Sequence, residues 1–411
     1  MSIKVFKFGG ASVKSAEAVR NMAAICKNHS NQPLVVIVSA MDKTTNHLEQ
    51  VFDLAFNSKP YQKELDKIFN FHETIALELL NDEKLVAELL DPIITSLNEK
   101  LEFSERYDQV ISYGEIFSTK IIHAYLEKSG QNFEWIDSRQ KIRTNDRYRD
   151  ASVNWDITQL NISELTDRVT SRHIITQGFI GGTAEGLTTT LGREGSDFTG
   201  AIYATCLKAE SLTVWKDVPG ILNADPKIIP TAIKFDEISY EEAAEMTYYG
   251  AKVIHPKTIK PLANAKIPLY VRPFLTPDEV GTAIDDVHTP KKLPSIIFKE
   301  DQTLISFKVE DFTFINERNI SEILHALTEQ NIRINLMQNS AISFSVCVDS
   351  NQSKVDYLIS ALSDQFSVFY NSDLTLITIK NYDQPTIDEC SIDKEILLEQ
   401  RSRHNFQIVV R

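Results

Sequence analysis

Cysteine is scarce and poorly placed for chemistry. Four residues, Cys26, Cys206, Cys347 and Cys390, are spread over a 411-residue chain with no metal-ligand spacing between them. Reduced structural thiols are therefore expected, in a reducing compartment and without a disulfide framework. No apolar run reaches the ~18 residues a membrane helix needs, and no cationic segment with an apolar stretch opens the sequence. A cytoplasmic protein with no membrane partner is the expectation. Positive charge is also short: 43 Lys and Arg stand against 57 Asp and Glu, a net charge of −14. That argues against a nucleic-acid partner, although a small anion needs only a few local cations. Neither GxxxxGK(S/T) nor GxGxxG occurs, which argues against a Walker-type NTPase and a Rossmann dinucleotide fold. No nucleophile–histidine–acid set stands out either.

What is present is a long alternation of short apolar runs with helical patterns, up to about residue 275. Strands are predicted at Ile3–Phe8, Leu34–Ser39, Gln109–Ser112, Ile174–Phe179, Ser211–Trp215 and Ile267–Val271. Leu34–Ser39 and Ile174–Phe179 are apolar through most of their length, as strands covered on both faces are. The fold class is α/β, a mainly parallel sheet sandwiched by helices, followed by a small α+β region. Residues 47–105 read as a helical insertion. Residues 276–302, with Pro277, Pro290 and Pro294 among many charges, read as a linker. A complete βαββαβ pattern spans 303–370, and 371–411 holds only part of a second such unit.

Polar residues gather just after the strands, where open α/β sheets bind ligands. The stretch KFGGASVKS, Lys7 to Ser15, is a strand end, a glycine pair and a helix start. Backbone N–H groups at such a helix start favour an anion, and Lys7 adds a point charge. A tight turn beside a solvated lysine would look the same, so this stretch alone leaves both readings open. Glu115 begins a helix that ends near Gly130, where it serves the helix dipole or a ligand. Between 186 and 200 stand Thr188, Thr189, Thr190, Arg193, Ser196 and Asp197. Arg193 has the fork that grips a carboxylate. Asp197 is either an N-cap or the partner of a lysine beside a reacting phosphate. Ser239 and Glu242 form a capping box, Gly250 ends that helix, and His255 before Pro256 reads as structural. A lysine, glycine turns, an arginine and carboxylates are the set that phosphoryl transfer requires.

Taken together, KFGGASV, SYGE, TLGREGSD, WKDVPGILNADP and GAKVIHP resemble aspartate kinase, of the amino acid kinase fold. The five motifs stand in the family's order over residues 4–273, and NLMQNSAISFSV extends the likeness into its ACT regulatory region. The resemblance implies a 1–275 catalytic domain, the 276–302 linker, an ACT domain at 303–370 and a truncated second ACT-like unit at 371–411. It implies transfer of the γ-phosphoryl group of ATP to the side-chain carboxylate of L-aspartate, the first step towards lysine, threonine and methionine. By resemblance Lys7 neutralises the transferred group, Gly9, Gly10 and Ala11 cradle it, and Asp197 holds the lysines. Thr45, Glu115, Arg193 and Ser196 fall on the aspartate-binding positions. Lys216, Asp217, Leu222, Asp225, Lys227, Lys252 and Val253 fall on the nucleotide-binding ones. Mg2+ is expected to arrive with ATP, without a resident metal site.

Four departures from the family pattern stand out. Ala11 replaces a threonine, Asp42 a glycine and Gly200 an alanine, and the second ACT unit lacks residues for its last helix and strand. An open sheet edge there predicts a homodimer through the ACT units. Its effector site is expected near Met337, Asn339 and Ser340, with lysine as the first ligand to test. The competing readings are a kinase of the same fold acting on another acceptor, and an inactive amino-acid sensor.

Overall fold

The computed structural model describes residues 2–82, 84–88, 90–251, 254–287, 293–309 and 314–411. They cluster into two units. The first takes in residues 1–221, 234–244 and 253–289; the second takes in 222–233, 245–252 and 290–411.

In the first unit, LVVIV forms a strand because its β-branched side chains fit a pleated surface buried on both faces. This strand, β2 (Leu34–Val38), is buried throughout and pairs in parallel with β1 (Lys4–Phe8). The other strands of the unit are β3 (Phe133–Ile136), β4 (His173–Gln177), the hairpin β5 (Ile180–Gly182) with β6 (Thr188–Thr190), β7 (Ser211–Lys216), β8 (Glu237–Ser239), β9 (Leu269–Pro273) and β10 (Thr282–Asp285). Without the hairpin they form an eight-stranded sheet in the order β3-β4-β2-β1-β7-β9-β10-β8. Pairing is parallel except between β9 and β10. The chain builds leftward from β1 through β2 and β4, then returns to β7 on its other side. This reversal makes β1 and β7 the switch point at which open sheets bind ligands. Helices 16–28, 44–56, 62–80 and 113–128 bury their apolar faces in one continuous core with β1 and β2.

Two expectations fail here. Gln109–Ser112 is not a strand: Phe103–Ile111 is a helix that buries Val110 and Ile111. Two adjacent apolar residues do not distinguish the two periods, and the helical insertion simply runs further than residue 105. The 276–302 segment is not only a linker. It contains β10, which pairs with β9 and β8, and the first half of the next long strand.

The second unit has a six-stranded antiparallel sheet of β11 (Ser295–Lys308), β12 (Ile334–Asn339), β13 (Ser343–Asp349), β14 (Ser367–Lys380), β15 (Ile396–Arg401) and β16 (Asn405–Val410). Their order is β12-β13-β11-β14-β16-β15. The helices Glu317–Glu329 and Gln352–Leu362 cover one half of it, over Ile305, Phe307, Phe344 and Val346. The half at residues 371–411 is less truncated than expected. Residues 295–299 of β11 supply a strand beside 376–380 of β14. Ala224, Ile229 and Ala232 pack with the helix Gln384–Ser391 over that half, where a second helix would lie. The edge is also less open than expected. β12 and β15 stand at opposite ends of the strand order, yet the Gln338 amide donates to the Glu399 carbonyl at 3.3 Å. Register shifts in β11 at Lys299–Leu304 let the sheet bend around the core of Leu304, Leu336, Leu398 and Val409.

Candidate active site

Lys7 is the penultimate residue of β1, flanked in register by Ile37 of β2 and Val214 of β7. A lysine in the centre of a sheet is stable only if something answers its charge. Its Nζ lies 2.6 Å from Asp197 Oδ1, and the pair is almost wholly buried. Lys216, the last residue of β7, brings its Nζ to 3.3 Å from Asp197 Oδ2. Burial alone would raise the Asp197 pKa, but Lys7 and Lys216 together outweigh it and hold the carboxylate below its ordinary range. One carboxylate thus fixes two ammonium groups at the switch point.

Asp197 is not an N-cap. The helix begins at Gly195, and its cap position is Glu194 in the left-handed region at φ 54°. Asp197 falls in the first turn and spends its side chain on the lysines. Gly178 allows this helix start to approach, since a Cβ there would lie 2.6 Å from that of Ser196.

After β1 the chain turns through Gly9 into a single 3-10 turn, Gly10–Val13. A Cβ on Gly10 would lie 2.7 Å from the Ala40 carbonyl, so this turn is sterically a glycine position. Ala11 is exposed on it. Asp42 occupies φ 48°, a left-handed position at which glycine is at ease. Gly200 is explained by packing: a Cβ would sit 3.0 Å from Leu212 Cδ1.

A cavity of about 700 Å³ opens over these groups. Lys7, Gly10, Thr45, Glu115, Arg193, Ser196, Asp197 and Lys216 all line it, so the sequence-predicted aspartate-binding residues are brought together with the lysine pair. Glu115 is buried in the first turn of the helix Tyr113–Lys128. Its Oε1 accepts from the Ala40 N–H at 3.3 Å, whereas Oε2 has no hydrogen-bond partner. Burial pushes its pKa up to about 8, against weaker pulls from the Ala40 amide and Lys7. A buried, half-satisfied carboxyl facing a cavity is poised for a cationic ligand group.

Asp217 follows β7 and is exposed. Leu222, Asp225 and Lys227 fall in the segment that clusters with the second unit, where Asp225 accepts from the Lys227 N–H at 2.9 Å. Lys252 and Val253 lie outside the described residues. Met337 is exposed on β12, with Asn339 and Ser340 exposed at its end; the Ser340 hydroxyl lies 2.8 Å from that of Ser343. His255 caps the helix Pro256–Ala265 through Nδ1, as its structural reading anticipated.

Asp42 lines the cavity too, and the lining residues that escaped sequence reasoning are Glu49, Tyr107, Arg149, Phe179 and Glu194. Behind them His72 is fully buried, its Nδ1 donating to the Ile68 carbonyl at 2.7 Å, and burial drives its pKa down to about 4. It is a neutral packing histidine under Thr44. All four cysteines are free and buried. Among the described residues no helix is long and apolar enough to cross a membrane.

The amino acid kinase family model matches residues 2–273. Lysine-sensitive aspartokinase 3 of Escherichia coli (strain K12) is 32% identical over 360 residues, 85% of this chain and 79% of that protein. Bifunctional aspartokinase/homoserine dehydrogenase 1, chloroplastic, of Zea mays is 33% identical over 292 residues; these cover 68% of this chain and 32% of that much longer protein. The crystal structure of E. coli aspartokinase III in complex with aspartate and ADP superposes with a TM-score of 0.85 at 29% identity, over 99% of this chain and 96% of that one. With a lysine-bridging carboxylate and a substrate-sized cavity at the switch point of such a sheet, this chain belongs to the amino acid kinase family and is an ATP-dependent aspartate kinase of amino-acid biosynthesis.

Proposed function

We propose that the cavity over Lys7 is the aspartate subsite and that its side chains divide the work of phosphoryl transfer. The observation that carries this reading is the bridging of Lys7 and Lys216 by Asp197. In the reaction, a side-chain carboxylate oxygen of aspartate bonds to the γ-phosphorus of ATP as the bond to the β,γ-bridging oxygen breaks. ADP and 4-phospho-L-aspartate result. The acceptor carboxylate is already ionised at neutral pH, so no general base is needed. Lys7 neutralises charge on the moving group from a fixed position, and the Gly9–Gly10 turn presents backbone N–H groups to it. Arg193 holds the α-carboxylate and Glu115 takes the α-ammonium, with Thr45 and Ser196 as hydroxyl donors. Lys216, Asp217, Leu222, Asp225, Lys227, Lys252 and Val253 are assigned to the nucleotide by resemblance.

Mg2+ fits as a passenger of the nucleotide. Among the described residues no group of three His, Cys, Asp or Glu stands together to hold an ion, so phosphate oxygens and water would be its ligands. The ion would add charge neutralisation on the phosphates.

Arg193→Lys tests the division directly. It keeps the charge but loses the two-pronged geometry, roughly 1.5–3 kcal/mol for a charged hydrogen bond. The aspartate KM rises far more than the ATP KM in initial-rate kinetics. Equal effects on both substrates would remove Arg193 from the carboxylate.

Regulation and assembly follow as a second proposal. The E. coli relative is named lysine-sensitive, and the exposed stretch Met337–Ser340 offers polar groups on a sheet edge. We assign it as a lysine effector site at a homodimer interface formed by the ACT units. Exposed Met337, Ile342, Phe369 and Tyr370 in that unit supply apolar surface for such a contact. The full chain is expected to sediment at twice 46.6 kDa at micromolar concentration. A species of 46.6 kDa would contradict the dimer. With free buried thiols, the cytoplasm is the expected compartment.

A further inference from the structure

Arg149 is an arginine in the wrong backbone region for an ordinary surface residue. Its φ is 71°, a left-handed conformation that side chains rarely adopt and in which glycine is at ease. Strain of this kind persists only where the surroundings enforce it. They do so here: the Arg149 N–H donates at 2.9 Å to Asp108 Oδ2, a carboxylate buried completely in the helix Phe103–Ile111. The guanidinium sits 4.5 Å over the centre of the Tyr107 ring and 5.7 Å from that of Phe103. Tyr107 in turn donates its hydroxyl to Glu49.

The same Asp108 carboxylate accepts from the Thr190 N–H and the Thr190 hydroxyl, both at 2.8 Å. Thr190 ends β6, and Gly192–Arg193 follows. A Cβ on Gly192 would lie 3.4 Å from the Arg149 carbonyl. One buried carboxylate therefore ties together the two backbones that carry Arg149 and Arg193. Both residues line the cavity, and among the described residues neither guanidinium has an ion pair. Two unpaired arginines held on one scaffold, beside a carboxyl with a free oxygen, match a ligand that carries a carboxylate next to an ammonium.

We propose that Arg149 is a second arginine of the aspartate subsite, holding the α-carboxylate jointly with Arg193, and that Asp108 is the positioning residue for both. The inference rests on the assignment of Arg193 to that carboxylate. It makes Arg149 a specificity residue: an α-carboxylate is selected over a neutral amide by two guanidinium groups rather than one.

The test compares wild type, Arg149→Gly, Arg149→Lys and Arg193→Ala with L-aspartate and with L-isoasparagine, which has an amide in place of the α-carboxylate. Glycine suits φ 71°, so the thermal midpoint of Arg149→Gly stays level or rises. Its aspartate KM nevertheless rises about tenfold or more, the worth of one charge-assisted hydrogen bond, with the ATP KM unmoved. Its preference for aspartate over isoasparagine falls by a similar factor, and Arg149→Lys recovers part of it. Asp108→Asn shifts the same preference, which a purely structural role would not. An Arg149→Gly enzyme with unchanged aspartate KM, or with equal losses on both acceptors, overturns the proposal. If Arg193→Ala alone moves the preference, only the role of Arg149 fails; if neither moves it, the carboxylate assignment of Arg193 fails too.

Discussion

Lys7→Ala lowers kcat by ~10²–10³, the usual effect of removing one preorganised charge contact from a developing anion. The mutation also leaves Asp197 buried with Lys216 as its remaining counter-ion. Losing one partner of a buried pair costs roughly 3–5 kcal/mol when nothing compensates. Lys216 compensates in part, so a lowered thermal midpoint with an unchanged far-ultraviolet circular dichroism spectrum is expected. The double variant Lys7→Met/Asp197→Asn separates the two effects. It removes the buried charges together and regains stability, but not turnover. A fall in kcat of less than about fivefold in Lys7→Ala would remove Lys7 from the reaction.

Glu115 carries the second large effect. Its free oxygen and its pKa near 8 mean that the unliganded protein holds it protonated at neutral pH. An arriving ammonium needs it ionised. The kcat/KM for aspartate therefore climbs with pH, roughly tenfold per unit, and levels off near pH 8. The same shift has a stability sign. An ordinary glutamate ionises near 4.5, so between about 4.5 and 8 the unfolded chain gives up a proton that the folded one keeps. Folding stability contributed by this residue falls as pH rises through that window. Glu115→Gln removes both slopes and raises the aspartate KM roughly 10- to 150-fold, the loss of a charged hydrogen bond worth about 1.5–3 kcal/mol. A flat pH profile in the wild type would contradict the ammonium role.

How much of this was legible in the sequence follows from the range of the interactions concerned. Lys7, the Gly9–Gly10 turn and Arg193 were legible because a strand end, a turn and a helix start are written in adjacent residues. The double reading of Asp197 was not resolvable there. Its helix starts at Gly195, and only the fold brings β1 and β7 side by side so that two lysines meet one carboxylate. Glu49, Tyr107 and Arg149 were invisible for another reason. Glu49 and Tyr107 come from the helical insertion and Arg149 from a loop beyond β3, and a left-handed arginine leaves no mark in a sequence. The run Gln109–Ser112 misled because two adjacent apolar residues fit a strand or a helix face equally well. β3 was missed because its burial is partial and Glu134 interrupts its apolar pattern. In the second unit, counting residues after 371 suggested a missing strand and helix. The strand comes from residues 295–299 and the cover from residues 222–233, contributions from earlier in the chain that no local count anticipates.

The measurement that bears most directly on this account is hydroxylamine trapping of the acyl phosphate made by the purified full chain. With ATP, Mg2+ and L-aspartate, β-aspartyl hydroxamate should accumulate in proportion to enzyme, and Lys7→Ala should reduce it ~10²–10³-fold. Hydroxamate formation that does not depend on aspartate, or that survives the loss of Lys7, would contradict it.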